Sequence, residues 1–213
     1  MKKIMITVSI KMKIVLLGRA KMKLIINTIF GLVILITVST CYANNQFEVT
    51  MKCTDDFQFD CEIIKNVDGK KTIELKNVRS PQIKRLNNDF YHLSATCGSP
   101  CQIHAFIGRK FEDDTNEFIA INHKNNCLIE SDSKSLKIFS RKLLTNKKKL
   151  IMNMHDKKYE HVIYSDWNLY SAFQGRSYFD QDNNLHLIAI TDDFDKNGNR
   201  VIFEKVVNNP CEK

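Results

Sequence analysis

The chain has 213 residues, of which 32 are Lys or Arg and 24 are Asp or Glu, for a formal net charge of +8. Seven of the basic residues and none of the acidic ones fall within residues 1–43, so the remainder holds 25 against 24 and is close to neutral. A nucleic-acid-binding domain would keep its positive surplus in the folded body, because phosphate neutralisation supplies most of that affinity; the distribution argues against that function.

The chain opens with two basic and apolar stretches. The second runs from Lys21 and Lys23 through an apolar segment, Leu24 to Val38, into small and polar residues that end at Ala43. That order is the layout of a secretory signal peptide, with Cys41-Tyr42-Ala43 as a small-x-small cleavage site. The apolar segment is short for a bilayer core of about 30 Å, which takes about twenty residues to span. Val38-Ser39-Thr40-Cys41 is similar to the lipobox of bacterial lipoproteins, so lipid attachment at Cys41 is the competing reading, ahead of a retained anchor. Residues 1–20 add nothing that export requires, and Met22, followed by Lys23, is the more natural start. The expected division is a leader over 1–43 and a mature domain over 44–213, with the membrane involved only through the signal peptide or a lipid on Cys41.

The mature part is long enough for one domain with its own core. Short alternating or apolar runs recur along it, bounded by Asn, Asp, Gly and Lys clusters. In chain order the predicted strands are FEVTMKC (47–53), FDCEIIK (59–65), KTIELK (71–76), FYHLSATC (90–97), CQIHAFIG (101–108), EFIAINH (117–123), CLIES (127–131), LIMNM (150–154), HVIYS (161–165), LHLIAIT (185–191) and RVIFEKVV (200–207). Val67-Asp68-Gly69-Lys70 and Lys196-Asn197-Gly198-Asn199 are hairpin turns, because Asn, Asp and Gly tolerate positive φ. SPQIKRLNNDFYHL and SKSLKIFSRKLL carry helical spacing as well as strand character, and strand is the preferred reading of both. The expected fold is all-β: a single disulfide-stabilised domain of many short antiparallel strands, arranged as a sandwich, a barrel or a small propeller-like body, with room for one short helix.

Six cysteines follow the leader, Cys53, Cys61, Cys97, Cys101, Cys127 and Cys211, and an even number in an exported chain reads as a disulfide framework. Cys53 and Cys61 are close enough to staple a hairpin. Cys97 and Cys101 flank the turn Gly98-Ser99-Pro100, and Cys127 is the first choice of partner for Cys211, which would pin the chain end. Zinc is a weaker reading of these sulfurs, since no second Cys or His pair stands at short spacing.

From Asp193 to Glu204 the letters match a twelve-residue EF-hand loop, with Asp193, Asp195, Asn197, Asn199 and Glu204 as the oxygen donors for calcium. The β-branched flanks favour a hairpin tip, because on a strand Glu204 cannot fold back onto the loop. No cofactor is otherwise expected. Lys147-Lys148-Lys149, with Arg141 and Lys142, forms a basic patch that reads as a solvated loop, or else as a contact for an anionic partner. His92, His104 and His186 alternate with apolar neighbours and read as outward-facing strand residues. Trp167, Tyr170 and Tyr178 lie in the aromatic stretch Tyr164 to Phe179; shared on one exposed face, they would make a recognition surface.

FYHLSATCGSPCQIHAFI, with the leader and the terminal cysteine, resembles uncharacterised exported proteins of Gram-negative bacteria that carry a Cys-Gly-x-x-Cys turn between strands. The resemblance implies an envelope location and no particular activity. Gly-x-Ser-x-Gly and His-Glu-x-x-His are absent. The expected function is an exported, non-catalytic binding protein, periplasmic or secreted, of the inhibitor or immunity type, whose partner is a protein or a cell-wall component. The alternative is an envelope hydrolase whose residues are scattered along the chain.

Overall fold

Residues 46–98, 101–165 and 168–212 are described by a computed structural model, without the side chains of Cys97 and Cys101. The leader, Cys41, Ser99, Pro100 and Trp167 lie outside the described residues.

Three antiparallel meanders follow one another along the chain. The first has six strands in sequence order: β1 (Phe47–Cys53), β2 (Cys61–Val67), β3 (Lys70–Arg85), β4 (Phe90–Gly98), β5 (Cys101–Gly108) and β6 (Glu112–Thr115). The second orders β10 (Lys149–Asn153), β9 (Lys137–Lys142), β8 (Cys127–Asp132) and β7 (Phe118–Asn122). In the third, β11 (Tyr178–Phe179), β12 (Leu185–Phe194) and β13 (Arg200–Val207) pair in sequence order. The one α-helix among the described residues, α1 (Tyr170–Phe173), is a single turn. The all-β disulfide-containing domain expected from the sequence is the fold observed.

Local chemistry explains the turns. Asp68 and Gly69 both take positive φ, 53° and 85°, the geometry of a two-residue hairpin whose twist matches its strands. At Gly108 a Cβ would stand 2.6 Å from the carbonyl oxygen of Phe111, so only glycine admits the tight β5–β6 turn.

Alternation sorts the side chains into three cores. Ile63, Leu93 and Ile107 join Phe47, Val49 and Tyr91 on one face of the first sheet. From the opposite face Phe90 and Phe106 pack against Leu128 and Leu143 of the second meander. The other face of that meander contributes Cys127, Ile129 and Ile138 to the largest core, shared with Phe173 of α1 and Leu185, Leu187 and Ala189 of β12. β8 is thus covered on both sides, and five of its six residues are buried. Each fully buried side chain of the size of Leu or Phe contributes roughly 1.5–3 kcal/mol of transfer free energy.

Both ambiguous stretches are strands, the end of β3 and β9, as preferred. HVIYS is a correction: only Val162 pairs, in an isolated bridge to Thr191, because the chain there turns from a 3-10 turn over Lys157–Tyr159 toward α1. Two disulfides close within the described residues, Cys53–Cys61 and Cys127–Cys211, both as expected. The framework fits an oxidising compartment. Among the described residues no helix is long and apolar enough to cross a membrane.

Candidate functional site

The loop CTDDFQFDC between β1 and β2 carries two highly exposed aromatic side chains, Phe57 and Phe59. Cys53 and Cys61 stand directly opposite each other in the ladder, with Cα atoms 4.0 Å apart, and their bridge clamps the loop at its base. Inside the clamp the Asp55 carboxylate accepts the backbone N–H groups of Phe59 and Asp60, both at 3.1 Å. The Thr54 hydroxyl donates to the Asp60 carboxylate at 3.1 Å. Gln58 takes a positive φ of 58°, and its carbonyl accepts the Ser80 N–H at 2.7 Å, which ties the tip to β3. Almost every polar group at the base is spent on holding the loop. The rings of Phe57 and Phe59, 76% and 61% exposed, are left stacked on each other with centroids 6.0 Å apart. Exposing them forgoes the burial energy that two phenylalanines would gain in a core, and rigid aromatic anchors of this kind lose little entropy on binding. Asp55, Asp56 and Asp60 surround them with negative charge.

The aromatic surface expected around Trp167 is not assembled by the described residues. Tyr170 is buried in the main core, a correction, because the turn of α1 directs Tyr170 and Phe173 inward together. Tyr178 is exposed and stacks on His186 at 4.7 Å. Trp167 lies outside the described residues.

The calcium donors are dispersed. Glu204 pairs with Ile188 in the ladder, and its carboxylate lies 2.7 Å from His186 Nδ1. The Asp195 carboxylate accepts the N–H groups of Asn197 and Asn199, each at 2.8 Å. Asp193 turns toward His161, with Asp192 beside it, at 3.4 and 3.5 Å. The loop therefore closes on its own backbone as a hairpin tip. His186 has carboxylates at both ring nitrogens, Glu204 and then Asp180 at 3.3 Å, and these raise its pKa.

The outward reading of His92 and His104 is overturned. β4 and β5 are covered on both faces, so the face opposite the first core meets the second meander instead of water. His104 is 4% exposed, and its ring stacks on Phe118 at 4.4 Å, while His92 stacks on Phe106 at 4.9 Å. Nε2 of His92 lies 3.0 Å from Nδ1 of His104, whose Nε2 faces Gln102 Oε1 at 3.2 Å; the Gln174 amide donates to that same oxygen at 3.0 Å. With both imidazoles neutral and protonated on Nε2, His92 donates to His104 and His104 to Gln102; with the His104 proton on Nδ1 instead, it donates to His92 and its Nε2 accepts from the Gln174 amide at 3.2 Å. Burial, with the charges of His104 and Lys84 in support, lowers the His92 pKa to about 4; burial alone lowers that of His104 to about 4.

Because the folded pKa values lie below the ordinary histidine value of about 6.5, the unfolded chain binds more protons between about pH 6.5 and 4, and stability falls as pH drops through that window. Two independent histidines would each lose about 2.5 kcal/mol by pH 4.5 at 1.36 kcal/mol per unit; with coupling and residual solvation the expected loss is about 3 kcal/mol for the pair. Urea melts of the wild type and of His92→Phe/His104→Gln at pH 7 and 4.5 measure it. A wild-type loss no larger than that of the variant would mean that other groups carry the acid sensitivity.

A carboxyl pair offers the most direct trace of acid–base chemistry. Glu74 and Glu112 both contact Lys65 Nζ, at 2.9 and 2.8 Å, beside a cleft of about 310 Å³ between β3 and the β5–β6 edge. Their hydrogen bond to each other lowers Glu74 to about 2 and raises Glu112. Lys65 lies on the inner side of β2, two residues from buried Ile63, so the trio bridges the open side of the curled first sheet. Its charges are committed to one another.

No protein-family model, curated protein or solved structure matches the chain.

Proposed function

We propose that the chain is an exported, non-catalytic binding protein of the cell envelope, periplasmic or secreted, of the inhibitor or immunity type, and that it holds a protein partner through the Cys53–Cys61 hairpin. The single observation that carries this reading is the pair of exposed, stacked phenylalanines on a loop fixed by a disulfide and by its own hydrogen bonds. Pre-organisation of this kind removes the ordering cost that weakens flexible loops. The surrounding aspartates define the partner as an apolar pocket edged by Lys or Arg, since complementary charge sets register and association rate. An anionic membrane surface would be repelled.

Affinity capture from the envelope fraction, with the oxidised chain and its Phe57→Ser/Phe59→Ser variant as baits, tests the reading. Two anchors of the usual strength contribute at least about tenfold each, so the variant is expected to hold the partner roughly a hundredfold more weakly with an unchanged melting temperature. Equal retention by both baits would remove the hairpin from the interface.

A further inference from the structure

A second site of opposite charge stands at the C-terminal end of the fold. Three consecutive lysines on a regular strand would splay to alternate faces. Here the chain bends after β9, where Leu144 takes a φ of 63°, and Lys147, Lys148 and Lys149 return with Lys142 to line a single cavity of about 520 Å³. Pro210 and Glu212 form the opposite wall. That wall is fixed three times: by the Cys127–Cys211 bridge, by the Ser140 hydroxyl donating to the Pro210 carbonyl at 2.7 Å, and by Lys149 Nζ donating to the Glu212 carbonyl at 3.0 Å.

The charges around this cavity do not cancel. Arg141 and Lys148 are balanced by Asp113 and Glu130, with which they form ion pairs. Lys142, Lys147 and Lys149 then face Glu212 alone, a surplus of two positive charges, and no acidic side chain among the described residues pairs with Lys142 or Lys147. Held in a concavity, such a surplus focuses the field on whatever enters. The volume falls in the range of small-molecule sites, and lysine stems with Pro210 supply a partly apolar lining for a body larger than a bare ion.

We propose that this cavity binds a phosphate monoester carried on a small polar body, its dianion held by Lys142 and Lys147 and positioned by Lys148 and Lys149. The site is separate from the aromatic hairpin and does not depend on it. A sugar phosphate and a monoester lipid headgroup share this chemistry.

Titration calorimetry of the oxidised full chain with glucose 6-phosphate, at about 20 mM salt to limit screening, is the test. The expected dissociation constant is below about 1 mM, with no heat from glucose and at least about tenfold weakening in Lys142→Ala/Lys147→Ala at an unchanged melting temperature. Vesicles containing phosphatidic acid form the second arm. Binding to them that the double variant loses, without a response to glucose 6-phosphate, assigns the monoester to a lipid. Silence in both arms, or affinities that the double variant leaves intact, overturns the proposal.

Discussion

Asp113→Ala is expected to destabilise the chain by about 3–5 kcal/mol. Asp113 lies on the short edge strand β6 and receives both terminal nitrogens of Arg141, at 2.6 and 3.0 Å, along with the Leu144 N–H at 2.6 Å. The Arg141 side chain is 7% exposed and the Glu130 side chain that meets its Nε is 4% exposed. Burial alone would raise the Asp113 pKa; the hydrogen bonds from Arg141 and Leu144 outweigh it and bring the carboxyl below its usual range. Removing this carboxylate leaves a guanidinium in the interior with one acid partner and takes away the acceptor of the exposed Leu144 N–H. Removing both charges is a different experiment. Asp113→Ala/Arg141→Met leaves no unpaired cation there, although Glu130 keeps only Lys148, and should recover at least half of the loss. Denaturant melts of the two variants separate the cases; a single-variant loss below about 1 kcal/mol would show that the contact is loose and solvated.

This hub was illegible in the sequence for a reason that applies to the candidate site as well. Arg141 reads as one more member of a basic patch with Lys147–Lys149, because composition reports charge and is silent on which side of a strand is covered. β6 is EDDT, four polar residues with no apolar period, and it exists as a strand because β5 offers its edge and Arg141 anchors its second residue. β1, β5 and β13 were legible to the residue, since their apolar letters alternate or run together between turn signals.

The same alternation misled at His92 and His104. It assumes one wet face, and β4 and β5 have none where the second meander covers them. At the hairpin, apolar letters again suggest strand: Phe59 belongs to the run FDCEIIK, although β2 begins at Cys61 and Phe59 is outside it, in water. The signal that could have found the loop was the density of Asp between two cysteines, a composition that resists burial and so leaves neighbouring rings exposed. The lysine cavity required tertiary information outright, since its far wall comes from residues 210–212 and arrives through a disulfide.

Cys127→Ala/Cys211→Ala is expected to lower stability by about 4 kcal/mol under oxidising conditions, against about 2 kcal/mol for Cys53→Ala/Cys61→Ala. The difference comes from the unfolded chain, where a bridge between residues 84 apart removes far more freedom than one between residues 8 apart. The folded state adds to it. Cys127 is fully buried in the main core, and Cys211 packs against that same core. The short bridge joins residues that the β1–β2 ladder already holds in register, so its loss should spare the global fold while loosening the aromatic loop. Chemical melts of the two double variants, with the hairpin's partner affinity measured beside them, give four numbers. Loss of the long bridge should cost the more stability and leave hairpin binding unchanged, and loss of the short one should cost about half as much while weakening hairpin binding. Losses of equal size would mean that the unfolded chain is already compact enough for the long closure to restrict little, and the entropic account of this framework would fail.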